Sequence, residues 1–135
     1  MPHFIIDCSE DIIASIPPEE IMQVVYEVAE STKLFADNDI KVRINSYKHF
    51  KLGEDKTNFI HIFGYIMEGR TKEQRADLSK KIISHLNEMF PNISILSINL
   101  SEFEKATYYN KAMLHPLNTS GDRHFIASQN QNKNQ

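Results

Sequence analysis

The apolar residues of this chain change period in the same order twice. Pro2-His3-Phe4-Ile5-Ile6-Asp7-Cys8 is a short apolar run of strand length. Ser15-Ile16-Pro17-Pro18-Glu19-Glu20 then starts a helix, with prolines where a missing N–H costs nothing and carboxylates in the first turn. Ile21, Val24, Val25 and Val28 give that helix one apolar stripe to about Ser31. Over residues 39–47 the period drops to two. Ile40, Val42 and Ile44 share one face of a half-buried strand, and Lys41, Arg43 and Asn45 share the face away from the helix. Residues 48–57, with Gly53, Asp55 and several lysines, read as a polar turn. The second round runs from a strand at Asn58 to Met67 through Thr71 and Gln74, spaced as a capping box, to a helical stripe of Leu78, Ile82, Leu86 and Met89. Pro91 stops that helix, and Ile93 to Leu100 supplies a fourth strand.

A strand–helix–strand unit joins parallel strands through a right-handed crossover. Two such units predict an α+β fold, a four-stranded mixed sheet with two helices on one face. The domain spans residues 1–112, in halves of about 2–50 and 58–112. No helix is left for the other sheet face, so subunit association is its expected cover. Beyond Ala112 the pattern fades. Residues 113–135 read as a polar extension whose end, Gln129-Asn130-Gln131-Asn132-Lys133-Asn134-Gln135, has the composition of a disordered tail.

Composition removes several function classes. A net charge of −3 with scattered basic residues argues against nucleic acid as partner. Nothing approaches the roughly twenty apolar residues that span a bilayer, and the N-terminal run is too short and lacks the basic flank of a secretory signal. The single cysteine, Cys8, cannot form an internal disulfide, which fits a cytoplasmic setting, and its apolar strand makes it a buried structural thiol. His3, His49, His61, His85, His115 and His124 show no metal-ligand spacing, so no metal is expected. His3 and His61 take similar places in the two opening strands, where an approach between them is one option and a core or interface role is the favoured reading. There is no Walker loop, dinucleotide fingerprint or nucleophile elbow. Glu102 and Glu104 read as solvated.

The chemistry concentrates at the start of the chain. Proline after Met1 is small enough for the methionine to be removed, leaving the secondary amine of Pro2 fixed at the end of a strand. A free α-amine titrates at about 7.7–8.0, and nearby cations or desolvation lower it further. Such an amine can serve as a general base near neutral pH.

Met1-Pro2-His3-Phe4-Ile5-Ile6-Asp7-Cys8-Ser9 resembles the opening of the 5-carboxymethyl-2-hydroxymuconate Δ-isomerases, in the tautomerase superfamily. Glu68-Gly69-Arg70-Thr71-Lys72-Glu73-Gln74-Arg75 resembles the strand-to-helix turn of short tautomerases such as 4-oxalocrotonate tautomerase. The similarity runs through residues 2 to about 112. It implies a homotrimer of two-unit protomers, a proline base, arginines that hold carboxylates, and no cofactor. The first half keeps Pro2 and the strand arginine Arg43, with Ile12 where the turn arginine would stand. The second half keeps Arg70, with about Leu96 where the strand arginine would stand. Tyr108 falls near an aromatic position lining the family site. The resemblance thus makes Pro2, Arg70 and Arg43 catalytic, and Arg43, Arg70 and Tyr108 substrate-binding, for a small unsaturated 2-hydroxy or 2-oxo carboxylate. Other proline-based chemistry (a phenylpyruvate-type tautomerase, hydratase, decarboxylase or dehalogenase) stays open. So does a non-catalytic interaction protein, if Met1 stays attached. Plainer roles also stand beside these: Arg70 paired with Glu68 or Glu73, Arg43 with a carboxylate across the sheet, and Tyr108 and Tyr109 as packing.

Overall fold

The structure, a computed structural model, describes residues 1–114. Strand β1 (His3–Ser9) runs directly into a short helix α1 (Glu10–Ser15), followed by α2 (Pro18–Ser31) and β2 (Lys41–Tyr47). The second half is β3 (Phe59–Met67), α3 (Lys72–Met89) and β4 (Ile95–Phe103), with 3-10 turns at Lys105–Thr107 and Lys111–Leu114. The sheet order is β2-β1-β3-β4. Each half is a parallel pair, and the halves meet along an antiparallel β1–β3 seam on which His3 faces Tyr65 and Cys8 faces Ile60.

Alternation builds the core. Phe4, Ile6 and Cys8 of β1 and Ile60, Ile62 and Ile66 of β3 are fully buried on one sheet face. Against them pack Ile21, Val25 and Val28 of α2 and Leu78, Ile82 and Leu86 of α3, the stripes that the helical spacing predicts. The seam is tight: a Cβ added at Gly64 would overlap Leu100 Cδ2 and come within 3.3 Å of the Phe4 ring. Burial pushes the Cys8 thiol up to about 11, with the Asp11 and Asp7 charges adding to it. That thiol is structural.

The sequence reading needs four adjustments. A third helical segment, α1, precedes the two expected helices; with six residues it is too short to show a stripe, yet Ile12 is buried from it. Strand β4 continues to Phe103, because Ser101, Glu102 and Phe103 pair with Tyr65, Ile66 and Met67. Glu102 is not simply solvated, since its carboxylate lies 3.4 Å from the Arg75 guanidinium. His3 and His61 do not meet: His61 faces Asp7 across the seam and bonds Ser97 Oγ at 2.7 Å.

The face away from the helices carries Ile5, Phe63 and Tyr65 in its middle, and Phe63 is exposed. Among the described residues no helix is long and apolar enough to cross a membrane. Residues 115–135, with His115, His124 and the polar tail, lie outside the described residues.

Candidate active site

Because β1 starts at His3, Met1 and Pro2 stand just off its end, beside the last residues of β3. Pro2 is fully buried, and its carbonyl accepts a hydrogen bond of 3.0 Å from Lys41 N–H at the start of β2. Met1 is buried too. The loop before β2 turns toward it. Asn38 adopts the left-handed conformation (φ 64°), which asparagine tolerates better than most residues. Asp39 N–H then closes a turn on Ala36 O at 3.2 Å. This turn aims the Asp39 carboxylate at the chain terminus, where it forms an ion pair with the Met1 ammonium. Asp39 Oδ2 is buried with no aligned hydrogen-bond donor, so the charge of that ammonium is its partner. Lys41 Nζ folds back to the same residue, 3.4 Å from Oδ1 and bonded to the Asp39 carbonyl. The terminus therefore sits in an ordered run of charges: ammonium, carboxylate, ammonium.

An aromatic wall stands beside it. Tyr108 donates its hydroxyl to Met1 Sδ. Its ring lies 5.8 Å from Phe103, which in turn stacks on Tyr65 at 6.0 Å and meets the edge of His3 at 5.9 Å. The segment carrying Tyr108 is fastened by Lys105 N–H, which donates to the Glu68 carboxylate at 3.0 Å. Tyr108 is thus both packed and delivered to the terminus, whereas Tyr109 is exposed.

The two arginines occupy different surroundings. Arg43 is on the open sheet face, as its alternation predicts, and its guanidinium donates to His3 Nδ1 at 3.1 Å. Arginine has no acceptor, so His3 is neutral with its proton on Nε2. Burial first, then the charges of Arg43, Lys41 and the chain terminus, hold His3 below its usual range. Arg70 follows Gly69, whose φ of 117° makes the sharp exit from β3. The Arg70 guanidinium donates to Met67 O at 3.3 Å and to Leu34 O, and covers the Phe35 ring at 5.2 Å. It therefore ties the β3–α3 turn to the loop leaving α2.

The structure thus gathers Pro2, Tyr108 and, through His3, Arg43 around one strand end, while Arg70 contacts backbone carbonyls there. Sequence reasoning missed Asp39, Lys41 and His3 at this end. The alternation already placed Lys41 beside Arg43. Asp39 was hidden because it read as the first residue of a strand, and only the left-handed Asn38 turns it inward. A recess of about 450 Å³ between α2 and the start of β2 has Lys41 in its lining. A cavity of about 210 Å³ at the opposite sheet end is lined by Asp11, Ser15, Asn58 and Phe90. Its one charged side chain, Asp11, already accepts a bond of 3.0 Å from Asn58. The charged terminus is the better candidate for chemistry. Among the described residues no three His, Cys, Asp or Glu side chains gather as a metal site.

Two parallel pairs joined antiparallel, with their helices on one face, form the tautomerase fold. The chain superposes on a 5-carboxymethyl-2-hydroxymuconate isomerase from Deinococcus radiodurans R1 with a TM-score of 0.70 at 21% identity, covering 82% of this chain and 88% of that one. It is similar to Pt0534 inactivated by 2-oxo-3-pentynoate (TM-score 0.69, 16% identity, 81% and 91% covered) and to a fused 4-OT symmetric trimer (0.63, 15%, 76% and 87%). No curated protein sequence matches the chain. The family model for 5-carboxymethyl-2-hydroxymuconate isomerase matches residues 2–117, and the chain belongs to that isomerase family.

Proposed function

We propose that this isomerase moves a proton within an unsaturated 2-hydroxy or 2-oxo carboxylate, of the 5-carboxymethyl-2-hydroxymuconate kind, with the Pro2 amine as general base. The observation that carries the reading is the chain terminus itself: Pro2 is buried, pinned through its carbonyl to Lys41, and surrounded by charged groups. With Met1 attached, the Pro2 nitrogen is an amide and has no basic lone pair. Hydrolysis of that one bond creates the secondary amine. It also withdraws the sulfur from Tyr108, freeing its hydroxyl to face substrate.

From a 2-oxo acid the neutral amine takes a proton from a substrate carbon, and electron density moves through the conjugated system onto the 2-oxygen; from a 2-hydroxy acid it takes the hydroxyl proton and gives the same dienolate. That dienolate is stabilised by cations already in place. The ammonium form of Pro2 then returns the proton to another carbon of the conjugated system, so the base ends in its starting protonation state. Arg43 and Arg70 hold carboxylate groups through their forked donors, and Tyr108 lines the site. The protein acts as a homotrimer in which the open sheet face is covered by neighbouring copies, one of which supplies an arginine. The chemistry uses no cofactor.

The test combines mass and turnover. Intact mass of the purified protein should lack the methionine, and unsaturated 2-hydroxy dicarboxylates should be isomerised faster than phenylpyruvate. The acetylenic acid 2-oxo-3-pentynoate should add one equivalent, mapping to Pro2. Labelling elsewhere, or full turnover by a protein retaining Met1, would overturn the assignment.

A further inference from the structure

Asp39 presents a problem that removal of Met1 makes acute. Its Oδ2 atom is buried and has only the Met1 ammonium as partner. Removal of Met1 takes one of the two cations from this half-buried carboxylate and leaves Lys41, 3.4 Å from Oδ1, a change that burial makes unfavourable. Cutting one residue shortens the chain by about 3.8 Å, the spacing of consecutive Cα atoms. The new terminus is then the Pro2 amine, which the Lys41 N–H to Pro2 O bond keeps in place. Cleavage itself supplies a new amine, one residue along the chain from the ammonium it removes.

We infer that Asp39 is a positioning residue for the Pro2 amine, and that Asp39 and Lys41 together set the pH at which that amine becomes a base. This rests on the proline-base reading above. The two groups act in opposite directions. The carboxylate stabilises the ammonium form and orients it by a charge-assisted hydrogen bond; Lys41, 3.4 Å from Oδ1, offsets that charge. Other groups at this end are His3 on β1, Arg43 on β2, Tyr65 on β3, Arg70 at the β3–α3 turn and Tyr108 after β4. Among these the cations Arg43 and Arg70 push the amine toward its neutral form. Neutral His3, hydrogen-bonded to Arg43, adds no charge. Asp39 pairs with the terminus, so its removal has a distinctive sign.

The experiment is an NMR titration of the full-length protein labelled with ¹⁵N-proline, its Met1 removal confirmed by intact mass. Asp39→Asn should lower the midpoint of the Pro2 amine by about one pH unit or more, and Lys41→Gln should raise it. Asp39→Glu, which keeps the charge, should titrate near the wild type. The acid limb of kcat/KM with an unsaturated 2-hydroxy dicarboxylate should move in the same direction as each midpoint. A folded Asp39→Asn variant titrating with the wild type would overturn the inference. If Asp39→Asn does not fold, Lys41→Gln decides, and an unshifted or lowered midpoint overturns it. These failures leave the base in place. Retained Met1, or a Pro2→Ala variant of undiminished rate, would instead remove the base itself and both readings with it.

Discussion

In the first half His3 accepts a hydrogen bond from Arg43 across β1 and β2; in the second, His61 meets Ser97 across β3 and β4. The same difference recurs at each strand start. Asn58, just before β3, is closed by neutral and singly charged partners: it donates to Asp11 at 3.0 Å and accepts from Ser94 N–H at 2.8 Å. The start of β1 instead buries an ammonium on a carboxylate backed by a lysine. The junctions into the helices differ the other way. Thr71 and Gln74 form the complete capping box that their spacing predicts, with bonds of 3.1 and 2.9 Å. Ser9 precedes α1 but leaves it uncapped, its hydroxyl accepting from Phe59 N–H at 3.1 Å across the seam. One half thus satisfies its polar groups locally, and the other leaves charge at its open end. Duplicated architecture need not carry duplicated chemistry.

The sharpest way to break this contrast is at the two strand starts. Pro2→Ala keeps a terminal amine, but a primary one with freer rotation. It should lose about a hundredfold or more in kcat, the lower range for a positioned general base, without a change in Tm. Asn58→Ala should do the reverse: it leaves Ser94 N–H without its acceptor, lowers Tm and spares the rate. Steady-state kinetics and thermal melts of both variants decide it, and equal effects on rate would mean the ends are not functionally distinct.

The arginines offer a smaller but more diagnostic effect. Arg70 holds Leu34 O and Met67 O, so Arg70→Ala should cost about tenfold or more in kcat/KM and also lower Tm. Arg43 lies exposed on the edge strand, so Arg43→Ala should weaken substrate binding with little change in Tm. A loss of stability in Arg43→Ala comparable to that in Arg70→Ala would contradict their different surroundings.

The junctions come next. Thr71→Ala should destabilise the protein by about 1 kcal/mol through loss of the N-cap. Ser9→Ala should cost about 1–3 kcal/mol, because it strips the acceptor from Phe59 N–H inside the seam. Denaturant melts that reverse this order would show that the first junction is not what joins the halves.

What could be read from the residues follows the same physics. Periodic burial is written in the sequence, so Ile21 to Val28 and Leu78 to Leu86 disclosed their helices, and Thr71 with Gln74 disclosed a helix start. Parallel pairs follow from the order of elements. The short α1 left no period to detect, and the extension of β4 came from partners on β3 rather than from its own pattern. Pro2 stood out as a terminal proline and Arg43 lay on a strand face that alternation marks, whereas Arg70 and Tyr108 came forward through the resemblance. Asp39 and Lys41 were not legible, since their meaning lies in a left-handed turn at Asn38 and a contact with a residue 38 positions away.

The smallest expected effect concerns pH and falls on His3. His3 is held below its usual value chiefly by burial, so the folded protein resists protonating it. Above the unfolded value of about 6.5 the ring is neutral in both states, and the interaction is fully present. As pH falls below that value the unfolded chain binds a proton that the folded chain refuses, and stability is lost until pH passes the lower folded value. Other groups titrate in the same range, so the wild type alone is uninformative. His3→Gln removes this contribution while retaining a side chain that can accept from Arg43. The drop in Tm between pH 7.5 and pH 5 should therefore be smaller in His3→Gln than in the wild type. Parallel curves for the two proteins would show that neither burial nor the charge gathered around β1 holds His3 below its usual range.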